Sequence, residues 1–555
     1  MKKIISIALT LCMVLGLCSF SVAAAPEGTA ITDAAGFAAM DPAGTYYLAN
    51  DITLTASYAT AFAGTLDGNG KTITVSAPIF TEIAGATIKN LTVAGAIDGA
   101  AADCAAVAVK ASGALVFENI VNNAAITNAK IAGAIFATVD SSNSTTVTGC
   151  INNAAIAGSG MTGGLIGKLN CNDADGNNAS VVAITNCANY GDITSGNYGA
   201  GIVASIQKTL NATVANCANS GAIKGTHDSG GIIGHTTQAV MTVSYCENFG
   251  IVDTAGTGQY AGGICGYAWG TKTASWTVEK YSTIIEYCIN HAEIIGDTRT
   301  GGICGSTGAT DCVGIFLIDH CINLGNVTSK GGKTSFSQNC VAGILGYGYG
   351  TTATAYPLVS NCITVGNIHA GNAGAAGNAA YFLGYVNSPL AVIKDNTAIG
   401  TLTSDSGDIT ALGRNNGKDF AEVTGNAIPA NTGYALTYEN GVTDKVYEVA
   451  TTDAAALTSG AAVYAFNQAA GKDVIYMAIN GTDFAPTLVA SEENVVVKNA
   501  DGTYGNPVKE VETEPAPETT EPKESGATGD SFVVFAAIAA ISVLGVAVVA
   551  KRREN

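Results

Sequence analysis

Gly230-Gly231-Ile232-Ile233-Gly234 and Cys217-Ala218-Asn219-Ser220-Gly221-Ala222-Ile223 are two short phrases that the chain repeats in alternation. The first returns at 163–167, 262–266 and 301–305, with weaker copies at 200–204 and 342–346. The second returns at 187–193, and Cys150, Cys246, Cys288, Cys321 and Cys362 open further copies. Spacing between these cysteines runs from 29 residues (246 − 217) to 42 (288 − 246). Each unit therefore keeps a fixed centre and varies its connections. A unit this small cannot bury its own apolar side, whereas stacked units share a continuous core.

The apolar pieces are short, rich in Ile and Val, and bounded by Gly, Asn, Thr and Ser. They read as strands separated by turns, with no helical period between them. Short strands at a repeating interval, with no crossover helices, predict an all-β solenoid of the parallel β-helix type over 25–430. Each coil of such a solenoid adds ~4.8 Å along the axis. In that arrangement Asn152, Asn189, Asn219, Asn248, Asn290 and Asn323 stack, each two residues after its cysteine, and bond one another's amides. The cysteines stack as a column of small apolar residues. Neighbouring coils bring cysteine Cα atoms within disulfide reach, but in-register parallel side chains point the same way. A ladder suits them better than bridges, and no Cys-x-x-Cys pair marks a zinc site.

The copies quoted above resemble the GLUG repeats of large bacterial surface proteins, whose signature pairs a Gly-Gly-Leu-Val-Gly strand with a Cys-x-Asn-x-Gly segment. Residues 62–73 (FAGTLDGNGKTI) and 86–93 (ATIKNLTV) are similar to the opening of such proteins, and 440–507 to a segment that closes their arrays. The resemblance covers roughly 45–405. It implies a right-handed coil and display on a bacterial surface. It implies no particular activity, because one fold serves many roles.

The termini carry targeting signals. Lys2 and Lys3 precede an apolar run from 4 to 18 and small residues at 21–25, the layout of a signal peptide over 1–24, cut after Ala23 or Ala24. Residues 531–550 form an uncharged stretch long enough for one transmembrane helix, and the basic tail 551–555 follows it. Basic residues stay inside, so the body is expected outside the cell. Between them lie a small C-terminal α+β capping segment at 431–507 and an acidic Pro/Glu/Thr-rich linker at 508–530, which acts as a charged spacer. A helix is expected at 453–468, with the segment closing the last coil. Thr528-Gly529, followed by an apolar span and a basic tail, resembles part of a sortase sorting signal. The resemblance implies a Gram-positive cell, with attachment to peptidoglycan or simple membrane anchoring as the two alternatives.

The formal charge of −19 excludes the basic footprint of a nucleic-acid binder. Catalytic signals are sparse. A glycosidase needs two carboxylates across a cleft, yet Asp192, Asp253, Asp297, Asp311 and Asp319 fall at different places in the unit. His227-Asp228 and Asp297-x-Arg299 precede Gly-Gly strands, which the reading places one coil apart, and His320 is expected on the outer face of a strand. The five histidines show no ligand spacing, so neither a metal nor a cofactor is expected. The stronger lead is aromatic. In-register stacking puts Lys168, Ser205, His235, Tyr267, Ser306, Tyr347 and Tyr385 in one column, with Trp269 and Tyr349 two residues on and Trp276 in an insertion of the same unit. Tyr267, Trp269, Trp276, Tyr347, Tyr349 and Tyr385 are thus the candidate ligand-binding residues, for a glycan or a protein of a host or neighbouring cell. The expected function is a non-enzymatic adhesin or glycan-binding protein on a stalk. The alternatives are a carbohydrate-active β-helix enzyme and a structural envelope protein.

Overall fold

The computed structural model describes residues 26–505 except 142, 172–180, 210, 255, 257–258, 273–280, 310–311, 332, 334, 351–353, 372–376, 407–408, 431–432, 439–446, 471–475, 478–486 and 489–495. The chain divides into two units, Met1–Pro507 and Val508–Asn555, and the second lies outside the described residues. So do the expected signal peptide, linker and membrane span. Among the described residues no helix is long and apolar enough to cross a membrane.

The first unit is built of parallel strands in stacked sheets, a β-helical solenoid. One coil shows the plan: β1 (Val182–Thr185), β2 (Ala188–Asn189), β3 (Ile193–Ser195), β4 (Gly199–Ala200) and β5 (Val203–Gln207). Each strand pairs in parallel with its counterpart one coil on. Ile184 aligns with Val214, Asn189 with Asn219, Ile193 with Ile223, Ala200 with Gly230 and Val203 with Ile233. The counterparts of β1 to β3 run through one large sheet, those of β4 form a nine-stranded stack and those of β5 a twelve-stranded one. Alternation puts Val182, Ile184, Ile193 and Val203 inside, where they are buried with their counterparts in one continuous core. Each buried Val or Ile contributes about 1.5–3 kcal/mol relative to exposure.

Two polar devices turn the coil. Between β1 and β2 the chain takes a left-handed residue, Asn186 (φ 56°) and Asn216 (φ 53°), and the same corner recurs at Tyr245, Tyr287, His320 and Asn361. His320 therefore occupies a corner and not the strand face expected for it. Asparagine reaches this backbone region at modest cost, while tyrosine rarely does.

Next comes the asparagine ladder. Nδ2 of Asn122 donates to Oδ1 of Asn152 at 2.7 Å, and the chain of bonds runs through Asn189, Asn219, Asn248, Asn290 and Asn323 at 2.7–2.8 Å. Each amide also donates to the carbonyl two residues on, as Asn219 does to Gly221 O at 3.0 Å. All seven asparagines are fully buried. The ladder starts one coil before the first copy recognised in the sequence and ends on Thr364, whose Oγ1 lies 3.4 Å from Asn323 Nδ2.

This ladder explains the Gly-Gly phrase. A Cβ on Gly231 would run into Gly263 O and the side chain of Asn248, and one on Gly201 into Gly231 O and Asn219. The second glycine of each phrase leaves the space that the next coil's asparagine fills. Once the ladder has ended, the glycine is no longer needed. Tyr381 follows Gly343 in that column, fully buried, with its hydroxyl on Gly400 O at 2.7 Å.

The cysteines form the expected column. All thirteen in the described residues are buried free thiols. Ile120 precedes Cys150 in the column, and Asn396 and Asn426 continue it after Cys362. Burial pushes the thiols of Cys150, Cys187, Cys217, Cys246, Cys288 and Cys321 well above the ordinary value.

At the N-terminal end a short helix, α1 (Ala34–Ala38), is capped by Asp33 Oδ1 on Gly36 N–H at 2.8 Å and buries Phe37 against Tyr58 and Phe80. At the other end the strands Ala435–Tyr438 and Ala450–Thr452 still pair with the coil before them. The helices α2 (Ala454–Thr458) and α3 (Ala461–Ala470) then follow, where one helix was expected. Val463 and Phe466 of α3 pack on the flank, over Ile289, Ile322 and Ile363 and the corner rings Tyr245 and Tyr287. Phe466 meets the ring of His320 edge-on at 5.0 Å. The described helical part thus lies along the side of earlier coils.

Two outcomes follow from these contacts. Asn219→Ala leaves Asn189 Nδ2 and Asn248 Oδ1 without their buried partners, so denaturant unfolding should show a loss of about 2–4 kcal/mol, from about 1–3 kcal/mol per unmade bond. Asn323→Thr, which repeats the residue found one coil later, should lose under half of that. For the thiols, a folded pKa raised above the unfolded one gives stability that is complete below the unfolded value of about 8.5. The melting temperature should be level from pH 6 to 8 and fall steadily as pH rises above about 9. A level profile to pH 11 would contradict the buried column.

Candidate functional site

Connection lengths single out one side of the solenoid. The β1–β2, β2–β3 and β4–β5 connections keep their lengths from coil to coil, as at 186–187, 216–217 and 245–246. The β3–β4 connection varies from 196–198 and 297–299 to 330–339, and the β5-to-β1 connection from 238–240 to 269–280. Both variable connections border the face made by β4 and β5. Loops free to vary on a rigid scaffold are where binding residues concentrate.

Two columns of side chains run along this face. The β5 column is the one read from the sequence: Lys168, Ser205, His235, Tyr267, Ser306, Tyr347 and Tyr385 are consecutive register partners. The second column comes from the residue just before β4 and runs Tyr198, Asp228, Tyr260, Arg299, Cys340. It was missed because the reading followed one strand only. Its signal is the residue two places before each Gly-Gly phrase or its Ala-Gly variants at 200–201 and 342–343.

The columns pair across the face. His235 Nδ1 lies 2.7 Å from Asp228 Oδ2, and His235 Nε2 lies 2.7 Å from Thr237 Oγ1. Tyr198 stacks on His235 at 4.1 Å and 5°. Tyr260 meets Tyr267 edge-on at 5.1 Å, and the Tyr267 hydroxyl donates to Gly308 O at 2.8 Å. The Arg299 guanidinium sits 3.7 Å from the Tyr347 ring centre, and Tyr347 stacks on Tyr385 at 5.7 Å and 4°. Asp228 Oδ1 has no hydrogen-bond partner among the described residues. Burial pushes the hydroxyls of Tyr198, Tyr260, Tyr267, Tyr347 and Tyr385 above the ordinary phenol value. They stay neutral at physiological pH.

The expected ligand residues divide by burial. Tyr347 and Tyr385 are buried, at 5% and 8% exposure, beneath the connection that carries Phe336. Tyr267, Trp269 and Tyr349 are half-buried, as are Tyr198 and Tyr260. Trp269 packs on Cys312, Phe316 and Ala355. Trp276 lies outside the described residues. His227-Asp228 and Asp297-x-Arg299 are two coils apart, because the Tyr260 coil stands between them. His227 is exposed, with Thr226 Oγ1 3.2 Å from its Nδ1.

Acids meet at a different place. Glu286 and Asp319 are register partners on adjacent coils, near the helix-covered flank. Burial and then the charge of Asp319 push Glu286 up. Asp319 is held low in spite of its burial, by His320 on Oδ2 at 2.6 Å and by Ser360 and Asn361 on Oδ1 at 2.5 and 2.9 Å. Both oxygens of Asp319 are engaged, which leaves it poorly suited to act as a nucleophile or base. Among the described residues no group of three or more His, Cys, Asp or Glu is placed to hold a metal ion.

No protein-family model matches the chain, and no curated protein matches its sequence.

Asp228→Ala strips His235 Nδ1 of its acceptor inside the face. It should cost about 1–3 kcal/mol in unfolding measurements, with faster amide exchange confined to 228–237. Asp228→Asn, which keeps an oxygen for Nδ1–H, should retain most of that stability.

Proposed function

We propose that the chain is a cell-surface binding protein whose right-handed β-helix presents the β4–β5 face to a glycan or to a surface protein of another cell. One observation carries the reading: every variable connection of the regular coils borders the same face, and that face holds the paired aromatic columns. Half-buried tyrosine and tryptophan on a rigid frame lose little entropy when they stack on a partner. The sequence supplies the setting. The GLUG-like repeats, the export signal at 1–24, the small α+β closing segment, the acidic stalk at 508–530 and the apolar span at 531–550 together describe a body held off a Gram-positive surface. Thr528-Gly529 marks the place for sortase attachment if the anchor is covalent.

The alternative of a carbohydrate-active enzyme needs two free carboxylates across a cleft. The nearest approach to that, Glu286 with Asp319, has one member already saturated with hydrogen bonds.

The test is a glycan and mucin array probed with the purified full chain and with the triple variant Tyr260→Ala, Tyr267→Ala, Tyr349→Ala. The triple variant should bind its best ligand at least about tenfold more weakly while its far-UV circular dichroism is unchanged. Undiminished binding would remove the face from the account. Shortening of an added polysaccharide by the wild-type chain would turn the reading to the enzyme.

A further inference from the structure

Arginine is scarce in this protein. Between the basic tail and the N-terminus it occurs only as Arg299 and Arg414, against a formal charge of −19. Both arginines lie along the β4–β5 face and both rest on aromatic rings. Arg414 sits 3.4 Å from the ring centre of Phe336, and its charge acts on Tyr385. Arg299 lies between two tyrosines, 3.7 Å from the Tyr347 centroid and 4.9 Å from that of Tyr260.

The hydrogen bonds of Arg299 are lopsided. Nε donates to Ser337 O at 3.0 Å, and Nη1 donates to the Tyr260 hydroxyl at 2.9 Å. Nη2 donates to nothing among the described residues, and none of their carboxylates is within ion-pair distance. A half-buried guanidinium in an acidic chain is ordinarily met by Asp or Glu. Here the neighbours fix its plane and one edge, and no carboxylate among the described residues compensates its charge. That is the arrangement of a preorganised receptor for a planar anion, because the guanidinium fork matches a carboxylate in two parallel bonds.

We propose that Arg299 is the anion-binding residue of the ligand face and takes the carboxylate of an acidic saccharide, with the half-buried rings of Tyr260 and Tyr267 against the sugar. The inference rests on the face being the ligand site and adds the chemical class of the ligand. A saccharide is favoured over an acidic peptide because the fork is bracketed by tyrosines, which offer flat stacking surfaces. The overall negative charge repels polyanions at a distance, so recognition depends on contact at this residue and not on steering.

Three probes test it by calorimetry with the full chain: a hyaluronan hexasaccharide, its glucuronate methyl ester, and a glutamate dodecapeptide. Wild type should bind the free acid at least about tenfold more tightly than the ester. Arg299→Gln should erase that preference and keep the weaker ester affinity. Arg299→Lys, which keeps the charge and loses the fork, should restore only part of it. Unchanged melting of both variants shows that the fold is intact. Equal affinity for acid and ester, or a preference that survives Arg299→Gln, overturns the inference and leaves the ligand face standing. Binding of neither saccharide, or of the peptide alone, overturns the inference and removes the saccharide from the wider reading.

Discussion

The buried amide ladder is the interaction on which the rest of this solenoid depends. Seven asparagines from Asn122 to Asn323 bond end to end in a fully buried interior, and each also closes its own turn through the carbonyl two residues on. A half-made network of this kind would be worse than an apolar core, because each unpaired amide costs its desolvation. Register is therefore fixed: slipping one coil against the next breaks the amide bond that joins them and leaves both buried partners unpaired. From Gly164 to Gly302 the glycine before each β4–β5 bend is a consequence, since a Cβ there would collide with the next coil's asparagine.

Holding three of the five connections constant has a cost in variety, and the variety reappears elsewhere. The β1–β2 corner must carry a left-handed residue, so most coils spend Asn or Gly on it. Where Tyr245, Tyr287 and His320 take that place, the strain coincides with a second role. Tyr245 and Tyr287 stack at 5.2 Å, and with Phe466 against His320 they form the seat of α3. Strained backbone persists where surrounding contacts over-determine it, and here the packed helix supplies those contacts.

The columns were legible in the sequence because a one-residue motif repeated in phase needs no knowledge of three-dimensional structure. Cysteine, asparagine and the Tyr267–Tyr347–Tyr385 file all follow from aligning the Gly-Gly phrases. Depth was not legible. Tyr347 and Tyr385 share a file with Tyr267, yet a ten-residue connection (330–339) brings Phe336 over them, and nothing in a repeat alignment says where an insertion lies. The Tyr198–Asp228–Tyr260–Arg299 file escaped notice for a related reason: its members differ in chemistry at every coil. The docking strip for α3 left a trace that could have been read. After the cysteine, Ala188, Ala218 and Glu247 give way to Ile289, Ile322 and Ile363, apolar residues that a solvent-facing position would not need.

The same reasoning separates architecture from function on the β4–β5 face. If its side chains served packing alone, uniform small residues would do, as Ser205 and Ser306 show within the same file. The face instead gathers His235 on Asp228, four partly covered tyrosines and both arginines of the solenoid, in a chain with few cations to place. A charge that meets no carboxylate among the described residues, as at Arg299, and a buried carboxyl oxygen without a donor there, as at Asp228, reduce stability. Such departures from local consistency are expected where a protein meets its ligand, and they are concentrated on the one side where the coils were left free to differ.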